Sequence, residues 1–101
     1  MKLPYNIIFC TLCRVIDVMV CILVLGGKKR GENDISKPKW TTMTSSHYIE
    51  KAQRHMMAHY RDEILDPEDK YQHLIHASLD LMIASELEAQ EKNIVRPTSL
   101  D

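Results

Sequence analysis

Between Arg54 and Asp80 the chain carries Arg54-His55, Asp62-Glu63, Asp66-Pro67-Glu68-Asp69, His73-Leu74-Ile75-His76-Ala77 and Asp80. Imidazoles, carboxylates and a guanidinium concentrated in about a quarter of the sequence are the groups that hold a divalent cation, contact phosphate or carry a proton near neutral pH. On a helix turning 100° per residue, His73, His76 and Asp80 fall within about 60° of one another, and Ile83 and Leu87 continue the same line. That i, i+3, i+7 spacing permits a Mn²⁺ or Zn²⁺ site made of the three side chains. It equally fits histidines that are only hydrogen-bonded inside a core.

The elements that must position these residues follow from the same stretch. Asp66-Pro67 has the form of a helix start, Asp at the N-cap and Pro at the first helical position, with Glu68 and Asp69 in the first turn. A helix is therefore expected from near Asp66 to about Lys92, and because Leu74, Ile75, Ala77, Leu79, Leu81 and Met82 fill its other directions, it should be buried. An unpaired buried charge costs several kcal/mol, so its imidazoles and carboxylate require partners. The preceding helix, Tyr48 to Leu65, shows an apolar face of Ile49, Met56, Met57, Tyr60 and Ile64, with His55, His59 and Asp62 on the opposite side. A short break at Leu65-Asp66 folds the two into an antiparallel pair.

The chain has 101 residues, 45% hydrophobic and 27% charged, the composition of one small globular domain across 1–101. A domain this small is marginal alone, which points to a homo-oligomer. A formal charge of −1 and a pI near 6.5 give no support for a nucleic-acid polymer as partner. Three cysteines, an odd number, argue against a disulfide framework, and Cys10, Cys13 and Cys21 are expected to be small buried hydrophobes.

Residues 3–25 are apolar enough to suggest a membrane anchor, but Asn6, Arg14 and Asp17 interrupt them. The uninterrupted run Val18 to Leu25 is far shorter than the roughly 20 residues a bilayer requires. A core helix ending at Gly26-Gly27 is the expected reading; a single-pass membrane or helical adaptor protein without catalysis is the rival, supported by the basic cluster Lys28-Lys29-Arg30. Residues 26–46 form a basic polar connection, carrying Lys37 and Lys39 as well, with Trp40 either capping the core or offering a flat surface to a base. Ser45 or Ser46 is a fitting N-cap for the next helix. Residues 93–101 form a polar tail. No strand-like alternation is visible, so the expected class is all-α, a small antiparallel bundle of three or four helices.

The run Tyr48, Ala52, Arg54-His55, Asp62-Glu63, Asp66-Pro67-Glu68, His73-Leu74-x-His76-Ala77, Asp80-Leu81 and Glu86-Leu87-Glu88 resembles a family of small, often phage-encoded, dATP/dGTP diphosphohydrolases related to the all-α MazG-like nucleotide pyrophosphohydrolases. Upstream, Arg14-Val15, Val18-Met19 and Gly27-Lys28-Lys29-x-Gly31-Glu32-Asn33 are similar to that family's Arg-Val helix and its Gly-x-Lys-Lys-Tyr-Gly-x-Asn-Trp segment. Arg30 stands in place of the usual Tyr, Asp34 in place of the Trp, Asp62 in place of a Gly and Asp80 in place of a frequent Asn.

The resemblance implies a cytoplasmic enzyme that hydrolyses a purine deoxynucleoside triphosphate at the α–β phosphate bond with Mg²⁺ or Mn²⁺. Glu63, Asp66 and Asp80 would supply the hard oxygen ligands. His55, His73 and His76 would contact phosphate, orient water or act as general base. Lys28, Lys29 and Arg54 would bind the triphosphate, and Trp40 or Tyr60 would stack on the base.

Overall fold

The computed structural model describes residues 4–29, 31 and 39–95. The features read at Arg30, Glu32, Asn33, Asp34 and Lys37, and the tail beyond 95, lie outside the described residues. Four α-helices follow one another: α1 (Asn6–Thr11), α2 (Cys13–Lys29), α3 (Ser45–Tyr60) and α4 (His73–Glu91), with a 3₁₀ turn at Lys39–Thr42. No named strand occurs among the described residues; Leu65 and Gln72 form one isolated antiparallel bridge. The all-α bundle is as the sequence leads one to expect.

The centre of the fold is the antiparallel pair of α3 and α4. At one end Ser45 gives both its backbone N–H (2.9 Å) and its hydroxyl (2.8 Å) to the Glu91 carboxylate. At the other end His55 meets His73. The buried line of α3 is Ser45, Tyr48 and Ala52, and His55 continues it one turn on. The expected apolar face is thus displaced: Ile49, Met57, Tyr60 and Ile64 are all exposed. Ala52 is the most deeply buried residue of that line, 2% exposed, and a side chain this small is what allows two helices to pack closely.

α4 buries His73, Ile75, Ala77, Leu79, Asp80, Ile83, Ala84 and Leu87. Met19 of α2 joins the core, with Val15, Val18, Ile22, Leu23 and Trp40 packed half-buried around it. Arg14 donates to Gln72 Oε1 at 3.2 Å, tying α2 to the start of α4.

Five expectations at this level are corrected. The long helix begins at His73, not Asp66, and residues 61–72 form a loop. There Asp66 Oδ1 accepts from Glu68 N at 2.8 Å, an Asx turn that competes with helix initiation, and Lys70 has φ +67°, which a right-handed helix does not accommodate. α2 runs through Gly26-Gly27 to Lys29, with two lysines complementing its C-terminal dipole, and the chain turns at Gly31, φ +74°.

The N-cap of α3 is Thr44, whose hydroxyl accepts from His47 N, one residue before the expected serines. Finally, the apolar N-terminus is broken at Leu12, where Thr11 Oγ1 bonds back to Ile7 O at 2.7 Å and bends the helix. α1 buries nothing, and Cys10, Cys13 and Cys21 are exposed, not buried, because no described element covers α1 or the outer side of α2.

Candidate functional site

The Asx turn at Asp66 and a second at Asp69, whose Oδ1 accepts from Tyr71 N at 2.9 Å, hold the 61–72 loop over the histidine end of the helix pair. The loop is closed further by Asp66 N to Tyr71 O (2.8 Å), Lys70 N to Asp66 O (2.8 Å) and His73 N to Ile64 O (2.9 Å). The last of these satisfies an otherwise unpaired donor at the start of α4, whose N-cap Gln72 makes no side-chain cap. Two carboxylates are thereby brought over three imidazoles.

The imidazoles are tightly grouped. His55 Nδ1 lies 2.8 Å from His73 Nδ1, and the His55 ring stacks on that of His76 with centroids 4.5 Å apart and planes 8° from parallel. His73 Nε2 is 3.4 Å from a Glu63 oxygen, and His76 Nε2 is 2.7 Å from Asp69 Oδ2. Neither contact is aligned as a hydrogen bond, so both Nε2 atoms are buried with no hydrogen-bonding partner. The same holds for Asp80 Oδ2, 4.0 Å from His55 Nε2.

Ligand atoms of His55, Asp66 and His73 all lie within 4.8 Å of one another, as do those of Asp66, Asp69 and His76. Burial, then the proximity of His76 and His73, pushes His55 down to about 4. Burial pushes the Asp80 carboxyl up to about 6, against the opposing pull of Lys51, His76 and Arg54.

His55, Asp66, Asp69, His76 and Asp80 line one side of a cleft of about 580 Å³ between α2, α3 and α4, a size within the roughly 300–1,000 Å³ of small-molecule sites. Lys28, Lys29 and Lys51 line it as well, and Trp40, Tyr48, Leu79 and Ile83 give it an apolar side. Lys29 is ion-paired with Glu68. The structure therefore brings together His55, His76, Asp66, Asp80, Lys28, Lys29 and Trp40 around one cleft.

His73 lies beneath it, in contact with His55, and Glu63 sits on the loop with about half its side chain exposed. Arg54 and Tyr60 do not line it: Arg54 is exposed and paired with Glu50 at 3.5 Å, and Tyr60 is 74% exposed. Lys51 and Asp69 also line the cleft, without a signal in the sequence that marks them. Lys51 stands one turn before His55 on the buried side of α3, a relation hidden until the packed face of that helix is known. Asp69 looks like a first-turn helix acid as long as Asp66 is taken for an N-cap.

A family model described as dATP/dGTP diphosphohydrolase, N-terminal, matches residues 1–96. No curated protein and no solved structure matches the chain.

Proposed function

The chain belongs to the dATP/dGTP diphosphohydrolase N-terminal family, and from that premise we propose that it hydrolyses a purine deoxynucleoside triphosphate to the monophosphate and pyrophosphate in a Mg²⁺- or Mn²⁺-dependent reaction. The observation that carries the reading is the cleft itself: lysines at its rim, an aromatic wall, and buried acid and imidazole atoms without partners along one side. Orphaned buried polar atoms are costly, and a cation with its phosphate ligands would satisfy them.

Lys28, Lys29 and Lys51 line the cleft as point charges suited to the β- and γ-phosphates. Trp40, half-buried against the core, offers its face to the purine. Asp66 and Asp69, with the imidazoles around them, are the groups that would hold the metal, so the histidines act as ligands and not as proton carriers. When bound, the metal would neutralise phosphate charge and polarise the attacking water. The water oxygen bonds to the α-phosphorus, the bond to the bridging oxygen breaks with pyrophosphate leaving, and Asp80 Oδ2, unpartnered on the cleft wall, takes the water proton.

No helix of the described residues is long and apolar enough to cross a membrane. Exposed apolar side chains on α1 and α4 support a second copy of the chain as partner. The substrate class supports a role in nucleotide metabolism in the cytoplasm, of a phage-infected host or of a bacterium. Pyrophosphate release measured with dATP, dGTP, dCTP and dTTP tests the function. Turnover of the two purine nucleotides is expected; no turnover of any of the four removes the proposal.

A further inference from the structure

We infer that the end of the helix pair holds two adjacent divalent-metal positions, His55–Asp66–His73 and Asp66–Asp69–His76, sharing the Asp66 carboxylate and selective for a transition ion of the Mn²⁺, Co²⁺ or Zn²⁺ type over Mg²⁺. The inference rests on the nucleotide-hydrolase reading for its purpose, but not for its geometry. It also differs from the all-carboxylate set expected from the sequence.

The arrangement of the imidazole nitrogens is the first argument. Two Nδ1 atoms 2.8 Å apart match neighbouring ligands at right angles around an ion about 2.1 Å from each, which would be separated by about 3 Å. A single N–H···N hydrogen bond also accounts for that distance, but it leaves His76 Nε2 unexplained. That atom is 2.7 Å from Asp69 Oδ2 without hydrogen-bonding alignment, and it is buried. A nitrogen and an oxygen so close and yet not aimed at each other are placed to face a common third atom.

The second argument is the surroundings. A metal-bound histidine usually presents its other ring nitrogen to a carboxylate, which fixes its tautomer and orientation. With His73 Nδ1 turned to the ion, its Nε2 has the Glu63 carboxylate 3.4 Å away, near enough to take up that role although not aligned as a hydrogen bond without the ion. His73 is 5% exposed, so that unpartnered nitrogen has no water to fall back on.

The third argument is the sharing. Asp66 belongs to both groups of donors, and the parallel stack of His55 on His76 sets the two positions side by side. Carboxylate-bridged pairs of ions about 3.5–4 Å apart are a recurring arrangement in phosphoryl chemistry. Three imidazoles in five ligands favour borderline transition ions, because Mg²⁺ prefers oxygen donors and retains its own water.

The test uses the whole chain and metal ions alone. Metal-free protein is titrated with Co²⁺ and followed by visible absorption and calorimetry, then challenged with Mg²⁺. Two equivalents of Co²⁺ are expected, with d–d bands that equimolar Mg²⁺ does not diminish and an affinity for Mg²⁺ at least about tenfold weaker. Asp69→Asn should retain one equivalent and Asp66→Asn should weaken both about tenfold or more. Each Asn keeps the side-chain oxygen that its turn needs, and circular dichroism checks the helices.

No saturable Co²⁺ binding, one equivalent in the wild-type chain, equal competition by Mg²⁺, or a wild-type titration by Asp66→Asn each overturns the inference. Should a variant fail to fold, the wild-type stoichiometry and the Mg²⁺ challenge decide alone. Co²⁺ binding as described with no nucleotide turnover would sink the enzymatic reading and leave the metal positions standing. Mg²⁺-supported turnover without Co²⁺ binding would do the reverse.

Discussion

Lys51 is the side chain whose place in the cleft most depends on the fold. It lines the cavity one turn before His55, and its ammonium lies 5.2 Å from the centroid of the Tyr48 ring. A charge-assisted contact to phosphate contributes roughly 1.5–3 kcal/mol, so Lys51→Ala should raise KM for the nucleotide about tenfold or more while leaving kcat nearly unchanged. A fall in kcat at constant KM would instead make Lys51 part of the chemical step.

Arg54 and Tyr60 give the complementary case. Both are largely exposed and lie outside the cleft lining, so Arg54→Ala and Tyr60→Ala should each shift stability by no more than about 0.5 kcal/mol and leave steady-state KM unmoved. The donor cluster predicts a thermal response as well. With a bound ion at about one hundred times its Kd, the folded chain gains roughly 2.7 kcal/mol. For a chain of this size, adding a chelator should then lower Tm by about 10 °C or more, read by calorimetry.

At the scale of elements, the α3–α4 pair is fastened at the end remote from the cluster by Ser45 and Glu91. The backbone and hydroxyl hydrogen bonds from Ser45 hold the Glu91 carboxyl below its usual 4.5. Because the folded value is depressed, the stabilisation is present above the unfolded value and is lost as pH falls through the folded one. Glu91→Gln should therefore be less stable than the wild-type chain at pH 7, by chemical denaturation, with the gap closing as pH drops below 4.5. A gap that persists at low pH would assign the loss to packing.

Leu87, 3% exposed near the same end, tests packing directly. Leu87→Ala should cost about 2–5 kcal/mol in stability without changing KM.

The elements also show what was legible in the sequence. α4 was readable from Ile75, Leu79, Ile83 and Leu87 at helical spacing, and its polar line His73, His76 and Asp80 does face α3 as counted. The start of that helix is not, because Asp-Pro-Glu is compatible with both an N-cap and a turn, and only the left-handed Lys70 and the hydrogen bond that Asp66 N donates to Tyr71 O decide for the turn. The packed face of α3 is hidden for a related reason. Hydrophobicity favours Met57 and Tyr60, whereas packing selects the side carrying Ala52, since size governs how near two helices come. By hydrophobicity alone His55 falls on the open side of α3, whereas in the structure it belongs to the seam.

For the whole molecule, the apolar surface left uncovered is the telling feature. Ile7, Ile8 and Phe9 of α1 are each more than half exposed, and Leu74 (41%), Leu81 (48%) and Met82 (58%) form a stripe along α4. Several large apolar side chains left exposed on one helix are what an association surface presents. Leu81→Lys with Met82→Lys is expected to convert a self-associating chain to a monomer in sedimentation at micromolar concentration. A wild-type chain already monomeric there would refute the partner assignment.

The donors for the ions all fall between His55 and His76, on α3, α4 and their connecting loop, whereas Lys28 and Lys29 reach the cleft from α2. Ion capture thus depends on α3, α4 and their loop alone, whereas nucleotide capture, which also uses Lys51 of α3, further requires a helix whose only described buried residues are Met19 and Gly27. The weaker attachment should loosen first. On slow warming, affinity for the triphosphate should disappear at a temperature where cobalt is still retained, and Met19→Asp should produce the same dissociation of the two properties in the cold.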